Sequence, residues 1–162
     1  MKLGHAVAVA VLLAPIPFAG MTDPAAAAAV HIVTVKVELI AKDGPPFWDM
    51  KRITPPRKNI TLDHSKRTRS VTFEVCADGA IAVLKLRATL LGDEKVAVRP
   101  NLLLYDGPPC SSNDLAASVY PSSQVIAGGT GKTGWEIHLP SEKFASFDYA
   151  HTSIDVSHNL WP

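Results

Sequence analysis

Alternation of apolar and polar residues at a period of two is the feature that most constrains this fold. It runs VTVKVEL from residue 33, SVTFEVC from residue 70 and AIAVLKLRATLL from residue 80. Successive side chains of a β-strand point to opposite faces, so this pattern places one set in a core and the other in water. These three segments are therefore predicted to be half-buried strands.

The rest of the chain continues the pattern in short segments bounded by Gly, Pro, Asn, Asp or Ser. They are KVAVRPNLLLYD, ASVYPSSQVIA, GWEIHLP and YAHTSIDVSH. No segment after residue 29 has an apolar stripe at helical spacing. We expect an all-β fold, an antiparallel β-sandwich of the immunoglobulin-like or a related Greek-key type with seven to eight strands. Pro100 and Pro121 fall within two of these segments and indicate an edge or a bulge there.

The first residues have the pattern of a secretory signal. Lys2 precedes an apolar run from Ala6 to Leu13, and Pro15 and Pro17 interrupt the apolar residues beyond it. That run is too short to cross a bilayer as a helix. We expect residues 1–29 to be a signal peptide that is removed, and residues 30–162 to form one exported domain with no membrane attachment.

The two cysteines predict one disulfide. Cys76 and Cys110 are the whole cysteine content, and an isolated pair in an oxidising compartment most simply becomes a structural bridge. The alternative is a redox pair or metal thiolates, which the absence of Cys-x-x-Cys spacing disfavours.

Charge is balanced overall but uneven along the chain. The net charge of +1 gives no push toward nucleic acid or membrane. Between residues 51 and 69, however, seven cations accompany one carboxylate, Asp63. The cations are Lys51, Arg52, Arg57, Lys58, Lys66, Arg67 and Arg69. This segment predicts binding to a wall polymer, a sulfated glycan or an acidic protein, and the alternative is a solvated edge whose cations discourage aggregation.

A proline-flanked loop next to this segment carries two aromatic residues, Phe47 and Trp48. Aromatic side chains on a loop can stack on sugar rings or anchor a partner protein. The alternative is that Trp48 folds back over one end of the sandwich.

The glycine-rich stretch GGTGKT resembles a phosphate-binding loop but fails its requirements. Aligning Gly131, Lys132 and Thr133 with the end of that motif puts Ile126 where its first glycine must be. The residues after it alternate like a strand, so no helix N-terminus faces a phosphate. We therefore predict a hairpin loop, and with no Gly-x-Ser-x-Gly or His-Glu-x-x-His motif we expect neither catalysis nor a cofactor.

The function expected from the sequence is a secreted, non-catalytic module that binds an extracellular glycan, a wall polymer or a protein, and does not bind nucleic acid. Two alternatives stay open. The first is an assembly subunit whose edge strands pair with a partner. The second is a copper-binding protein or enzyme, because cleavage close to His31 would place this histidine at or near a new N-terminus, where the amine and imidazole can bind Cu(II).

Overall fold

The computed structural model describes residues 29–44, 49–92, 94–106, 110, 114–129, 131–141 and 147–161. Within these residues lie ten strands: β1 (Val30–Lys42), β2 (Met50–Ile53), β3 (Lys58–Leu62), β4 (Thr68–Ala77), β5 (Ala80–Leu90), β6 (Lys95–Asp106), β7 (Leu115–Val119), β8 (Gln124–Ala127), β9 (Gly131–Pro140) and β10 (Tyr149–Trp161). None of the described residues belongs to a helix long and apolar enough to span a membrane.

The strands form two antiparallel sheets that pack face to face, which confirms the predicted β-sandwich. Sheet 1 has the order β2–β1–β10–β9, with β3 also paired to β1. Sheet 2 has the order β4–β5–β6–β7, with β8 also paired to β6.

The strand order combines local pairings with one long-range pairing. Most neighbouring strands within a sheet follow one another closely along the chain, whereas β1 and β10 bring the first and last strands together. These two pair over their full length, from Val30 opposite Trp161 to Lys42 opposite Tyr149. Alternation specifies which face of a strand is buried but contains no information on which strand lies beside it, so the strand order had to come from the structure.

Each sheet has one interrupted edge, which explains the number of strands. β2 and β3 both pair with β1, and β7 and β8 both pair with β6. Counting each interrupted edge as one strand gives eight for the described residues, within the predicted seven to eight. Pro55 and Pro56 lie in the first interruption and Pro121 in the second. Proline has no N–H for a strand ladder, so it is found at such breaks.

The core lies between the sheets and consists of the inward positions of each alternation. Leu39, Leu84, Leu86, Leu102 and Ile154 are at most 1% exposed. Burying one such side chain contributes about 1.5–3 kcal/mol before the entropy of ordering it. Sheet-to-sheet burial is therefore the main source of stability.

The predicted disulfide is present between Cys76 and Cys110, whose Cα atoms are 5.7 Å apart. It ties the end of β4 to the connection between β6 and β7. In the chain-entropy account, closing a loop of this length contributes about 3.5–4 kcal/mol. Beside Cys76, on the outer face of sheet 2, lies a small buried apolar cluster of Ile81, Val83 and Leu103.

Candidate functional site

The interrupted edge of sheet 2 leaves a gap beside β6. β6 pairs with β8 through residues 95–98 and with β7 from residue 102 onward. Residues 99–101 have neither partner on that side. Pro100 lies in this gap and is paired only with β5, and Pro121 lies in the connection between β7 and β8, so both prolines are where this edge lacks strand pairing. At the border, Ser123 Oγ donates a hydrogen bond to the Val98 carbonyl at 3.2 Å.

A surface cavity of about 320 Å³ opens at this gap, and we call it the basic notch. Its polar lining comes from β4, β5, β6 and the residue after β7. These side chains are Ser70, Thr72, Lys85, Arg87, Arg99, Asn101 and Tyr120. The lining side chains of β4, β5 and β6 occupy the outward positions of their alternations, so the notch lies on the outer face of sheet 2, away from the core.

Strand register brings the cations of the basic notch together. Arg87 on β5 is directly opposite Arg99 on β6, and Lys85 is opposite Asn101. Like charges directly opposite each other on antiparallel strands are destabilising, by roughly 0.2–1 kcal/mol. The arginine pair is thus placed at some cost to the fold, and an anion bound between the two guanidinium groups would remove that cost.

No carboxylate is among the described residues that line the basic notch. Glu74 is the acidic residue in β4, but it pairs with Val83 and lies outside the lining. A cavity on the outer face of sheet 1, of about 350 Å³, also contains three cations, Lys36, Arg57 and Lys132, but its lining includes Asp155. Asp155 is directly opposite Lys36. Uncompensated positive charge therefore distinguishes the notch from the opposite face.

Two uncharged residues add to the chemistry of the basic notch. Asn101 Oδ1 is buried and has no hydrogen-bond partner among the described residues. An unsatisfied buried acceptor costs about 1–3 kcal/mol, so a donor that reached it would stabilise the site. Tyr120 is 56% exposed, and an exposed aromatic ring beside cations offers a face on which a sugar ring can stack.

The basic segment predicted from the sequence is spread along the interrupted edge of sheet 1 and the start of β4. Several of its cations have partners within the protein. Lys51 Nζ is 3.3 Å from Asp49, and Arg52 Nε is 3.4 Å from Glu38. Arg67 donates to the Leu90 carbonyl at 3.3 Å. Exposed ion pairs of this kind contribute about 0–1 kcal/mol each.

The remaining cations of that segment face different surfaces. Lys58 and Arg69 line a groove of about 440 Å³ between β3 and β4. Arg57 lines the cavity on sheet 1. Lys66 lies in the loop between β3 and β4, where its backbone N–H donates to Asp63 Oδ1 at 2.7 Å. The structure therefore does not gather the seven predicted cations into one surface, and their role in binding stays a prediction.

Phe47 and Trp48 lie outside the described residues, so their predicted role as aromatic contacts is not tested by the structure. The same holds for the predicted signal peptide, of which only Ala29 is described.

Sequence reasoning missed the basic notch because its residues come from separate strands. Lys85 and Arg87 occupy outward positions of β5, but Arg99 becomes their neighbour only through the register of β5 with β6. The available signal was that two consecutive strands each carry basic residues at outward positions, Lys85 and Arg87 on β5 and Arg99 on β6. Consecutive strands commonly pair, so this signal could have raised the site as a candidate.

His31, the residue of the copper hypothesis, lies inside the sandwich. It is 3% exposed, and its Nδ1 is 3.0 Å from Nε2 of His158, which is fully buried. Burial lowers the pKa of His31 below 6.5, and the neighbouring His158 lowers it further, while Glu94 opposes the shift. No group of three or more His, Cys, Asp or Glu side chains able to hold a metal ion occurs in the described part of the chain.

A pair of carboxyl groups is buried at the opposite end of β1 and β10. Asp43 and Asp148 are 7% and 6% exposed. Gly79 N–H donates to Asp43 Oδ2 at 3.1 Å, and Gly44 N–H donates to Asp148 Oδ1 at 2.7 Å. Burial raises the pKa of Asp43, the Gly79 hydrogen bond opposes this, and the charge of Asp148 adds to the rise.

Neither models of known protein families nor curated protein sequences give a match to this chain. Its function must therefore be argued from the geometry above.

Proposed function

We propose that the protein is an exported, non-catalytic module that binds an anionic extracellular glycan or wall polymer in the basic notch. The observation that carries the proposal is the placement of Arg87 opposite Arg99, next to Lys85, in a cavity whose described lining has no carboxylate. A fold that holds like charges together without compensation is best explained by a ligand of opposite charge.

An extended ligand is favoured over a small anion because cationic surface continues beyond the notch. The groove between β3 and β4, which carries Lys58 and Arg69, shares Ser70 with the lining of the notch. A polymer with repeated negative groups can follow both cavities. Sugar rings suit the site because Tyr120 offers an aromatic face and Asn101 offers an acceptor for a ligand hydroxyl.

Export is supported by the disulfide and by the signal-like residues at the start of the sequence. Disulfides persist in oxidising compartments and are rare where thiols are kept reduced. A polymer-binding module also needs no catalytic group, in line with the absence of hydrolase motifs from the sequence.

The test compares binding of dextran sulfate and neutral dextran to the purified protein by isothermal titration calorimetry at low and at physiological salt. We expect binding to the sulfated polymer alone, weakening as salt rises. The double variant Arg87→Gln/Arg99→Gln removes two exposed ionic contacts and should weaken binding about tenfold.

The matched control is Lys36→Gln/Arg57→Gln, which removes two cations from the cavity on sheet 1 and leaves the lining of the basic notch unchanged. It should bind nearly as well as the unmodified protein. Equal loss in both double variants would mean that only total charge matters, and the proposed site would then be abandoned.

A further inference from the structure

Three of the four edges of the sandwich are protected against pairing with another strand. The β2/β3 edge is broken at Pro55 and Pro56, and the β7/β8 edge at Pro121. At the edge of β4, Lys58 reaches one backbone carbonyl: its Nζ donates to the Thr72 carbonyl at 3.4 Å and lies 4.7 Å from the centre of the Phe73 ring. Prolines and lysines at edges are the usual means by which β-proteins avoid unwanted pairing.

The fourth edge, β9, is continuous and carries one lysine, Lys132. It runs for ten residues from Gly131 to Pro140, and its single proline is the last residue. One side pairs with β10, and no other described strand pairs with β9. A long open edge presents a row of unpaired N–H and C=O groups and is a template for another strand.

The charges along β9 are arranged to fit a second copy of the same strand. Lys132 and Glu136 lie on the outward face, two residues on either side of Gly134. The Glu136 side chain is 79% exposed, and its contact is His151 Nε2 at 3.7 Å. Lys132 has no ion pair with any described residue.

We propose that the protein forms a symmetric dimer in which β9 pairs antiparallel with β9 of a second copy, around a two-fold axis at Gly134. In this register Lys132 of each copy lies directly opposite Glu136 of the other, so two ion pairs form at once. Sheet 1 of one copy then continues into sheet 1 of the other as a single sheet.

Charge selects this register over its neighbours. Moving the axis by one residue, to Thr133 or Trp135, places Lys132 opposite Gly134 or opposite His138 and leaves Glu136 without an opposing lysine. A shift of one residue in a two-fold pairing thus removes both ion pairs. The inference is independent of the basic notch, which lies on the other sheet.

The experiment is sedimentation equilibrium of the purified protein over a range of concentrations, together with three variants of β9. Lys132→Glu and Glu136→Lys each place two pairs of like charge across the axis. Each single variant should raise the dimer dissociation constant about tenfold or more. The double variant Lys132→Glu/Glu136→Lys restores opposite charges and should recover the original dissociation constant.

Lys95→Glu, the same change of charge on sheet 2, is the control and should leave the dimer unaffected. Circular dichroism and urea unfolding of each variant establish that the exposed substitutions leave the fold intact. A protein that is monomeric at all concentrations overturns the proposal. So does a dimer that the single variants do not weaken, or one that the double variant does not restore.

Discussion

The two ends of the sandwich bury titratable pairs of opposite kind. β1 and β10 run the length of sheet 1, and at one end they bring together His31 and His158. At the other end, about 40 Å away at the usual rise per residue, Asp43 lies beside Asp148. The inward residues of β1 and β10 are mostly apolar, and each polar pair is buried at one end of these two strands.

In both pairs, burial disfavours the charged form of the side chain, whether that form is positive or negative. It lowers the pKa of His31, which favours the neutral imidazole, and raises the pKa of Asp43, which favours the protonated carboxyl. The difference lies in hydrogen bonding. Both aspartates accept backbone N–H groups, whereas His158 Nδ1 has no partner among the described residues. The histidine end therefore has one hydrogen bond between its two rings and is otherwise held by packing, whereas the aspartate end also has hydrogen bonds from backbone N–H groups.

The largest expected effect is on the free energy of unfolding, and it distinguishes the histidine end from the aspartate end. His158→Ala removes a fully buried ring and leaves His31 Nδ1 without its partner, so it should lower the free energy of unfolding by about 3 kcal/mol. Asp148→Asn keeps the volume of the side chain and an oxygen that accepts from Gly44 N–H, so it should cost less than about 1 kcal/mol. Urea unfolding at pH 8 measures both, and equal losses would contradict the comparison.

A smaller effect should appear when the pH is lowered. Because the pKa of His31 lies below its ordinary value of 6.5, the unfolded chain takes up a proton at a higher pH than the folded chain does. The stabilising contribution is present above pH 6.5 and is lost as the pH falls below it. His158 and His64 oppose protonation of His31, and Glu94 favours it.

Urea unfolding at pH 7.5 and pH 5.5 measures this loss. The double variant His31→Leu/His158→Leu fills the same space with apolar groups, and it should show a shallower fall in the free energy of unfolding over that interval. If the variant and the unmodified protein lose the same amount, the pH dependence comes from other groups and the account of the histidine end fails.

The sequence alone predicted the local structure well and the polar pairs not at all. Alternation identified the inward residues of β1, β4 and β5, because the period of a strand is fixed by backbone geometry. The disulfide followed from cysteine count. His31 and His158 are 127 residues apart in sequence, and Asp43 and Asp148 become neighbours only because the first and last strands pair.

The same dependence on strand order explains why the basic notch was not predicted from the sequence. Arg87 and Arg99 lie twelve residues apart on consecutive strands, and their placement opposite each other depends on strand order and register. The seven clustered cations at 51–69 drew attention because they are close in sequence, although their strands carry them to different surfaces. Closeness in sequence is a poor guide in a fold whose strongest contacts lie between strands.

The smallest effect concerns the aspartate end. There the pH dependence of stability has the opposite sign to that at the histidine end. The raised pKa of Asp43 means that the folded chain keeps a proton at a pH where the unfolded chain has released it. The contribution of this group is present below pH 3.8 and is lost as the pH rises through the raised pKa. Asp43→Asn supplies a permanently neutral group of the same shape, and its amide oxygen can accept from Gly79 N–H. We expect it to stabilise the protein at pH 7 by about 0.5–1 kcal/mol.

Asp63 provides the matched control for that variant, because its pKa is lowered whereas the pKa of Asp43 is raised. The Ser65 hydroxyl and the backbone N–H of Lys66 lower its pKa, so its contribution is present above pH 3.8 and is lost as the pH falls. Asp63→Asn should therefore destabilise the protein at pH 7, where Asp43→Asn stabilises it. Urea unfolding of both variants at pH 7 and pH 4 measures the contrast. Destabilisation by Asp43→Asn at pH 7 would show that its carboxylate is needed in charged form, and that the two ends of the sandwich do not follow the same rule.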